Sequence, residues 1–224
     1  MADAMHPPVD EYLEAILELE EEGARVIQAR LADRLGVSAP SVSEMVRRLR
    51  AEGYLEVNGD RTLTLTHKGR DWATTIVRRH RLAERLLTDL LGLPWHRAHI
   101  EACRWEHVIS AEVEELIRAK LDNPLTCPHG NPIPGMASPT RVEPFPLAQA
   151  KEGTTVVVER ITEEAEADKK LLEHLWKHDV RPGRRLRITE VALPAETITA
   201  ASDGQTITLG LRAAAKIWVY VPTP

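Results

Sequence analysis

Over the first fifty residues, apolar positions recur at a spacing of three or four. Val9, Leu13, Ile16, Leu17 and Leu19 predict a helix over 8–22, with Pro8 near its start. A short helix follows from Ile27 to Leu35 and stops at Gly36. Ser38 caps a third, whose apolar side carries Val42, Met45, Val46 and Leu49 and which Gly53 ends. The period then changes to two. Tyr54-Leu55-Glu56-Val57 and Thr62-Leu63-Thr64-Leu65-Thr66 alternate on either side of Asn58-Gly59-Asp60, the pattern of a β-hairpin. Three helices followed by a hairpin make a winged helix-turn-helix pattern.

Helical spacing returns from Lys68 to about Leu91 and is broken by Gly92-Leu93-Pro94. Further helices are expected at roughly Trp95–Ser110 and from Ala111 to about Leu121, the latter ending at Asn123-Pro124. Seven of the fifteen prolines fall within 124–146, so this stretch reads as a linker or extended ordered loop. Short strands follow at Thr154–Ile161, Arg185–Val191, Thr206–Leu209 and Lys216–Val221, interrupted by one amphipathic helix from Ala167 to His178. That texture suggests a small SH3-like β-barrel. The expected class is α+β, with a winged helix-turn-helix at 1–72, a helical domain at 73–142 and an SH3-like domain at 147–224.

Composition narrows the setting. The chain has 224 residues, enough for more than one domain, and no apolar run or basic leader that predicts a membrane span or signal peptide. Two cysteines form no disulfide framework, so a reducing, cytoplasmic location is expected. The net charge of -5 conceals a local reversal. Residues 1–24 hold eight acids and no Lys or Arg, whereas 25–70 hold nine Lys and Arg against five acids. The second stretch can meet phosphates.

In such a motif the second helix enters the major groove, with its first residues nearest the base edges. Those residues are Ser38, Ala39, Pro40, Ser41, Ser43 and Glu44. Small hydroxyls and a proline pack on thymine methyls but make no bidentate guanine contact, so weak direct readout and a strong dependence on DNA shape are expected. Gln28, Arg30, Arg47, Arg48, Arg50 and Arg61 are placed to reach phosphates.

The candidate chemistry lies further on, at His99-x3-Cys103-x2-Glu106-His107, echoed upstream by His80-x3-Glu84. Residues three or four apart share a helix face. Mixed N, O and S ligands of this kind suit a divalent transition metal. Glu11 and Glu14 alone read as a solvated acidic face, and Cys127 with His129 as loop residues, since two ligands are too few for a site. A metallohydrolase is disfavoured because no His-Glu-x-x-His is present.

Arg78-Arg79-His80-Arg81-Leu82-Ala83-Glu84-Arg85-Leu86-Leu87, Ala102-Cys103-Arg104-Trp105-Glu106-His107 and Gly130-Asn131-Pro132-Ile133-Pro134-Gly135 follow the winged helix in order. Together they resemble the diphtheria toxin repressor family of iron- and manganese-dependent transcriptional regulators, in its long form with an SH3-like domain. The resemblance implies a homodimeric repressor, not an enzyme, that binds double-stranded operator DNA and controls metal-ion homeostasis genes. The 73–142 domain would then serve metal binding and dimerisation. Iron-responsive members complete their primary site with a methionine from the first helix, added to Cys, Glu and His matching Cys103, Glu106 and His107. Here Glu11 stands at the methionine position, and Glu14 matches a second acid of manganese-responsive members. A carboxylate in place of a thioether favours Mn²⁺, with Fe²⁺ a close second. The resemblance assigns an ancillary site to His80, Glu84 and His99 with Glu163 and Glu166 from the SH3-like domain, so about two ions are expected per subunit. The alternative is a winged-helix regulator that responds to an organic ligand or to oxidation of Cys103.

Overall fold

The computed structural model describes residues 9–136 and 143–222, which fall into two units, Met1–Arg79 and His80–Pro224. Pro8, Pro139 and the expected domain limit at 142 lie outside the described residues.

In the first unit α1 spans Val9–Glu21, α2 Gln28–Leu35 and α3 Ala39–Ala51. Gly36 ends α2 with φ 64°, a left-handed conformation that glycine adopts without a Cβ penalty. The Ser38 hydroxyl accepts from the Ser41 amide at 3.3 Å and so caps α3. β1 (Leu55–Val57) pairs antiparallel with β2 (Leu63–Leu65), Leu55 opposite Leu65, both shorter than the alternation predicts. Asn58 Nδ2 donates to the hydroxyls of Thr62 at 2.9 Å and Thr64 at 2.8 Å, which stiffens the hairpin tip. Leu13, Ile16, Leu31, Val42, Leu49 and Leu55 form the heart of the core. The acidic face of α1 is partly neutralised: Arg34 donates to Glu18 at 3.0 Å and to Glu22, and Arg70 to Glu20 at 2.8 Å.

A long helix α4 (His67–Arg85) ends in a π-helical turn over Leu86–Leu90, short of the Leu91 expected for a regular helix. The single helix expected over Trp95–Ser110 is instead a 3-10 turn at Trp95–Arg97 followed by α5, Ala98–Trp105. The amides of Val108 and Ile109 both turn back to the Trp105 carbonyl, at 3.0 and 3.1 Å. Ser110 is then free to cap α6 (Ala111–Lys120), accepting from the Val113 amide at 3.2 Å. Leu82, Leu87, Ala102, Ile109, Ile117 and Ile133 pack into the helical core. The first part of the proline-rich stretch is ordered: the Cys127 amide donates to the Asn131 carbonyl at 2.8 Å, and Arg85 Nε to the Thr126 carbonyl at 2.6 Å.

The barrel follows: β3 (Phe145–Pro146), β4 (Thr155–Ile161), α7 (Glu163–Glu166), α8 (Lys169–Lys177), β5 (Arg185–Ala192), β6 (Thr197–Ser202), β7 (Gln205–Gly210), α9 (Leu211–Ala214) and β8 (Ile217–Tyr220). Its six antiparallel strands run in the order β3-β8-β4-β5-β6-β7. β3 and β6 are not foreseen in the sequence. The expected Ala167–His178 helix is α8 alone, because the Asp168 carboxylate caps the amides of Lys170 and Leu171 at 3.1 Å each. Among the described residues no helix is long and apolar enough to cross a membrane.

Candidate metal centre

His80 and Glu84 sit one turn apart on α4, 2% and 0% exposed. α5 carries His99 against them, its Nδ1 3.1 Å from His80 Nε2 and 3.9 Å from Glu84 Oε1. From the barrel, α7 brings Glu163 Oε2 to 3.6 Å and Glu166 Oε2 to 3.4 Å of the same nitrogen. The proline-rich segment closes the group. His129 Nδ1 stands 2.8 Å from Glu166 Oε2 and 3.1 Å from Glu84 Oε1.

His129 is oriented from behind. Its Nε2 lies 3.0 Å from the Trp95 carbonyl oxygen, an acceptor only, so Nε2 carries the hydrogen and donates it. Nδ1 therefore faces two carboxylates. Burial opposes charge on this ring, but Glu166 and Glu84 outweigh it and hold His129 well above the usual histidine range. A ring nitrogen held by a backbone carbonyl fixes the orientation of the imidazole, as it does for histidines that ligate metals, and here the other nitrogen pairs with Glu166 and Glu84. Asn131 locks Glu166 in turn, donating 2.7 Å bonds to its Oε1 and to the Ile161 carbonyl.

Arg81, 0% exposed, donates to Glu163 Oε1 at 3.0 Å and to the Pro132 carbonyl. One oxygen of Glu163 is thus anchored, leaving Oε2 towards the histidines. Burial pushes the Glu84 carboxyl up, yet His129 and His80 bring it well below the carboxylate range. Burial, then Glu163 and Glu84, push Glu166 the other way.

Of the expected ancillary set, His80, Glu84, His99 and Glu166 come together with Glu163 beside His99, and Cys103 is the ligand that departs from its expected partners. Cys103 does not join Glu106 and His107; its Sγ lies 3.7 Å from His99 Nε2, and among the described residues it groups with His80 and His99. The break after Trp105 explains this, since Cys103 and His99 share a helix face while Glu106 and His107 follow its end. Burial works against the Cys103 thiolate, but His80 and His99 lower its pKa. His80 faces both ways: Nδ1 is 2.5 Å from Glu106 Oε2, whose Oε1 is 3.2 Å from His107 Nε2. Glu11, half-buried, and Glu14, buried, stand on α1 in the first unit. His129 is the residue that sequence reasoning passed over. Its signal was the Cys-Pro-His beside Gly130-Asn131-Pro132, read as a loop.

Do these residues suit a cation? Glu84, Glu106, Glu163 and Glu166 are all at most 5% exposed. Both Glu84 oxygens, Glu106 Oε1, Glu163 Oε2 and Glu166 Oε2 lack an aligned hydrogen bond. Buried carboxylate oxygens left this way are costly unless a positive group meets them. Carboxylates mixed with imidazoles fit a divalent ion of the Mn²⁺, Fe²⁺ or Zn²⁺ kind.

The first unit presents a second surface. Ser38 and Ser41 hydroxyls are 2.8 Å apart, and Ser43 donates to Gln28 Oε1 at 2.8 Å, so Gln28 is tied to α3. Pro40, Arg30, Arg47 and Arg50 are exposed, as is Arg61, which takes φ 66° in the wing. Arg48 is engaged with Glu52 at 2.7 Å.

Comparison with known proteins matches three successive segments of the chain. Residues 5–63 match the family described as iron dependent repressor, N-terminal DNA binding domain, and 66–135 its metal binding and dimerisation domain. Residues 145–221 match the FeoA domain. The iron-dependent repressor IdeR of Mycobacterium tuberculosis is 44% identical over 204 residues, covering 86% of this chain and 87% of that protein. The diphtheria toxin repressor of Corynebacterium diphtheriae is 51% identical over 125 residues, 56% of this chain and 55% of that one. Among solved structures, a manganese-dependent transcriptional repressor in complex with manganese superposes with a TM-score of 0.84 at 35% identity, covering 96% of this chain and 100% of that one. The chain belongs to the diphtheria toxin repressor family of metal-dependent transcriptional repressors, in its long form with a C-terminal SH3-like domain.

Proposed function

We propose that this repressor acts as a homodimer on operator DNA, answers to Mn²⁺ ahead of Fe²⁺, and controls genes of metal-ion homeostasis. The observation that carries the metal reading is the group of buried carboxylate oxygens without aligned hydrogen bonds around His80, His99 and His129. The preference for Mn²⁺ is supported by Glu11, an acid where iron-responsive members place methionine, and by the oxygen-rich donor set.

In this reading the three parts of the chain are 1–72 for DNA, 73–142 for metal and dimerisation, and 147–224 as the SH3-like domain. His80, Glu84, His99, Glu163 and Glu166 hold one ion, with His129 added to the set. Glu106 and His107 serve the other, joined by Glu11 and Glu14; Cys103 stands beside His99. A bound ion supplies positive charge that offsets the mutual repulsion of these acids. The residues themselves decide the rest. Arg81 and Asn131 hold Glu163 and Glu166 in place, and the acids favour the DNA-competent state only when neutralised. The shift equals the difference in metal affinity between the two states. Gln28, Arg30, Ser38, Pro40, Ser41, Ser43, Arg47, Arg48, Arg50 and Arg61 form the DNA face.

The test is DNA binding by the full chain to a duplex selected from a random library, titrated with Mn²⁺, Fe²⁺, Co²⁺ and Zn²⁺ at matched free-ion concentrations. Mn²⁺ should activate at the lowest free concentration, and Glu106→Ala and His107→Ala should abolish the response. Equal activation by all four ions overturns the preference, and unchanged metal-dependent binding by both variants overturns the mechanism.

A further inference from the structure

On α3, Val42, Val46 and Leu49 are 0%, 3% and 0% exposed and face the core. At about 100° per residue the point opposite this stripe falls between Ala51, at the end of the helix, and Glu44, with Pro40 and Arg48 further round on either side. Glu44 is exposed, and among the described residues it makes no hydrogen bond or ion pair. Its neighbours are occupied differently. Ser43 is spent on Gln28, and Arg48, one turn along, is spent on Glu52. An unneutralised carboxylate therefore stands at the centre of the surface that the proposed function turns towards DNA.

Phosphates repel such a group, so an acid here weakens binding to every sequence alike unless a base returns the energy. In the major groove one base presents only a donor at its edge: cytosine, through its N4 amino group. We propose that Glu44 is a specificity-determining residue that reads cytosine through N4, resting on the DNA-binding reading above. It supplies the G·C discrimination that a helix without groove-facing arginine at its start otherwise lacks. Pro40 lies four residues before Glu44, about 6 Å along the helix axis. That is roughly two base steps, so the half-site carries a thymine, packed by Pro40, with the cytosine one or two base pairs away.

The experiment selects random duplexes with the full chain and Mn²⁺, for the wild type, Glu44→Ala and Glu44→Gln, each checked for fold by circular dichroism. The wild type should enrich a motif with cytosine at one fixed position. Glu44→Ala should lose the preference there alone, with discrimination falling about tenfold or more. Glu44→Gln should move the preference towards adenine, whose N6 and N7 pair with an amide. If all three proteins enrich the same bases and the variants merely bind every duplex more tightly, Glu44 acts as a plain charge and the proposal fails. If the wild type enriches no motif with Mn²⁺, the DNA-binding reading itself fails and carries this one down with it.

Discussion

His129 Nδ1 lies 2.8 Å from Glu166 Oε2, joining a loop of the helical region to a short helix of the barrel. Neither residue makes a site alone. On the reading proposed above, they join Glu84 and a histidine pair on two helices in a donor set drawn from four segments. His129→Ala should therefore lower metal stoichiometry by one ion per chain in isothermal titration, while Asn131→Ala, which only unlocks Glu166, should weaken affinity about 10- to 100-fold at unchanged stoichiometry. Unaltered binding in both would remove His129 from the donor set.

Arg81 is the counter-ion that the cluster keeps permanently. It is fully buried, and Glu163 beside it is 5% exposed. Arg81→Met removes the closest partner of that carboxylate and leaves it only the more distant histidines, so the chelator-treated protein should lose about 3 kcal/mol in denaturant unfolding. The double variant Arg81→Met, Glu163→Met should recover much of the loss. Equal losses in the single and double variants would argue against the ion pair as the cause.

Gly130 has φ 92°, and a Cβ there would collide with the Glu159 carbonyl. The turn that carries His129 thus depends on a residue with no side chain. Gly130→Ala should cost about 1–3 kcal/mol and displace the imidazole, read as a lower denaturation midpoint together with weaker metal binding. A change in stability with intact metal affinity would separate the turn from the site.

The two thiols should behave oppositely towards alkylation. Cys127 is 0% exposed and burial, with Glu84 and Glu166 nearby, pushes its thiol up to about 12. Cys103 is partly exposed, and its histidine neighbours favour the thiolate. Peptide mapping after brief iodoacetamide treatment at neutral pH should find label on Cys103, with Cys127 labelled only after unfolding. Comparable labelling of both in the folded chain would contradict this burial.

Much of the architecture was readable because it rests on local rules. Ser38 and Gly36 punctuate helices wherever they fall, and the alternation around Asn58-Gly59 leaves little but a hairpin. The end of α5 was not readable, because Ser110 could have ridden on a continuing helix as easily as capped a new one. β6 escaped notice since Ile198 is its only large apolar residue, Ala200 filling the second inward position. His129 was missed for a different reason. Its partners Glu84 and Glu166 are distant in sequence, and two adjacent ligand types carry no trace of where the fold will place the others.

The pairing of Arg81 with Glu163 spans 82 residues. At about 5–20 residues per second, ribosomal synthesis leaves α4 waiting on the order of 4–16 seconds for its barrel partner. During that interval the nascent chain owns His80, Glu84 and Glu106 but not Glu163 and Glu166. On the reading proposed above, the ion that borrows Glu163 and Glu166 consequently finds its full set of donors only after the barrel has been made.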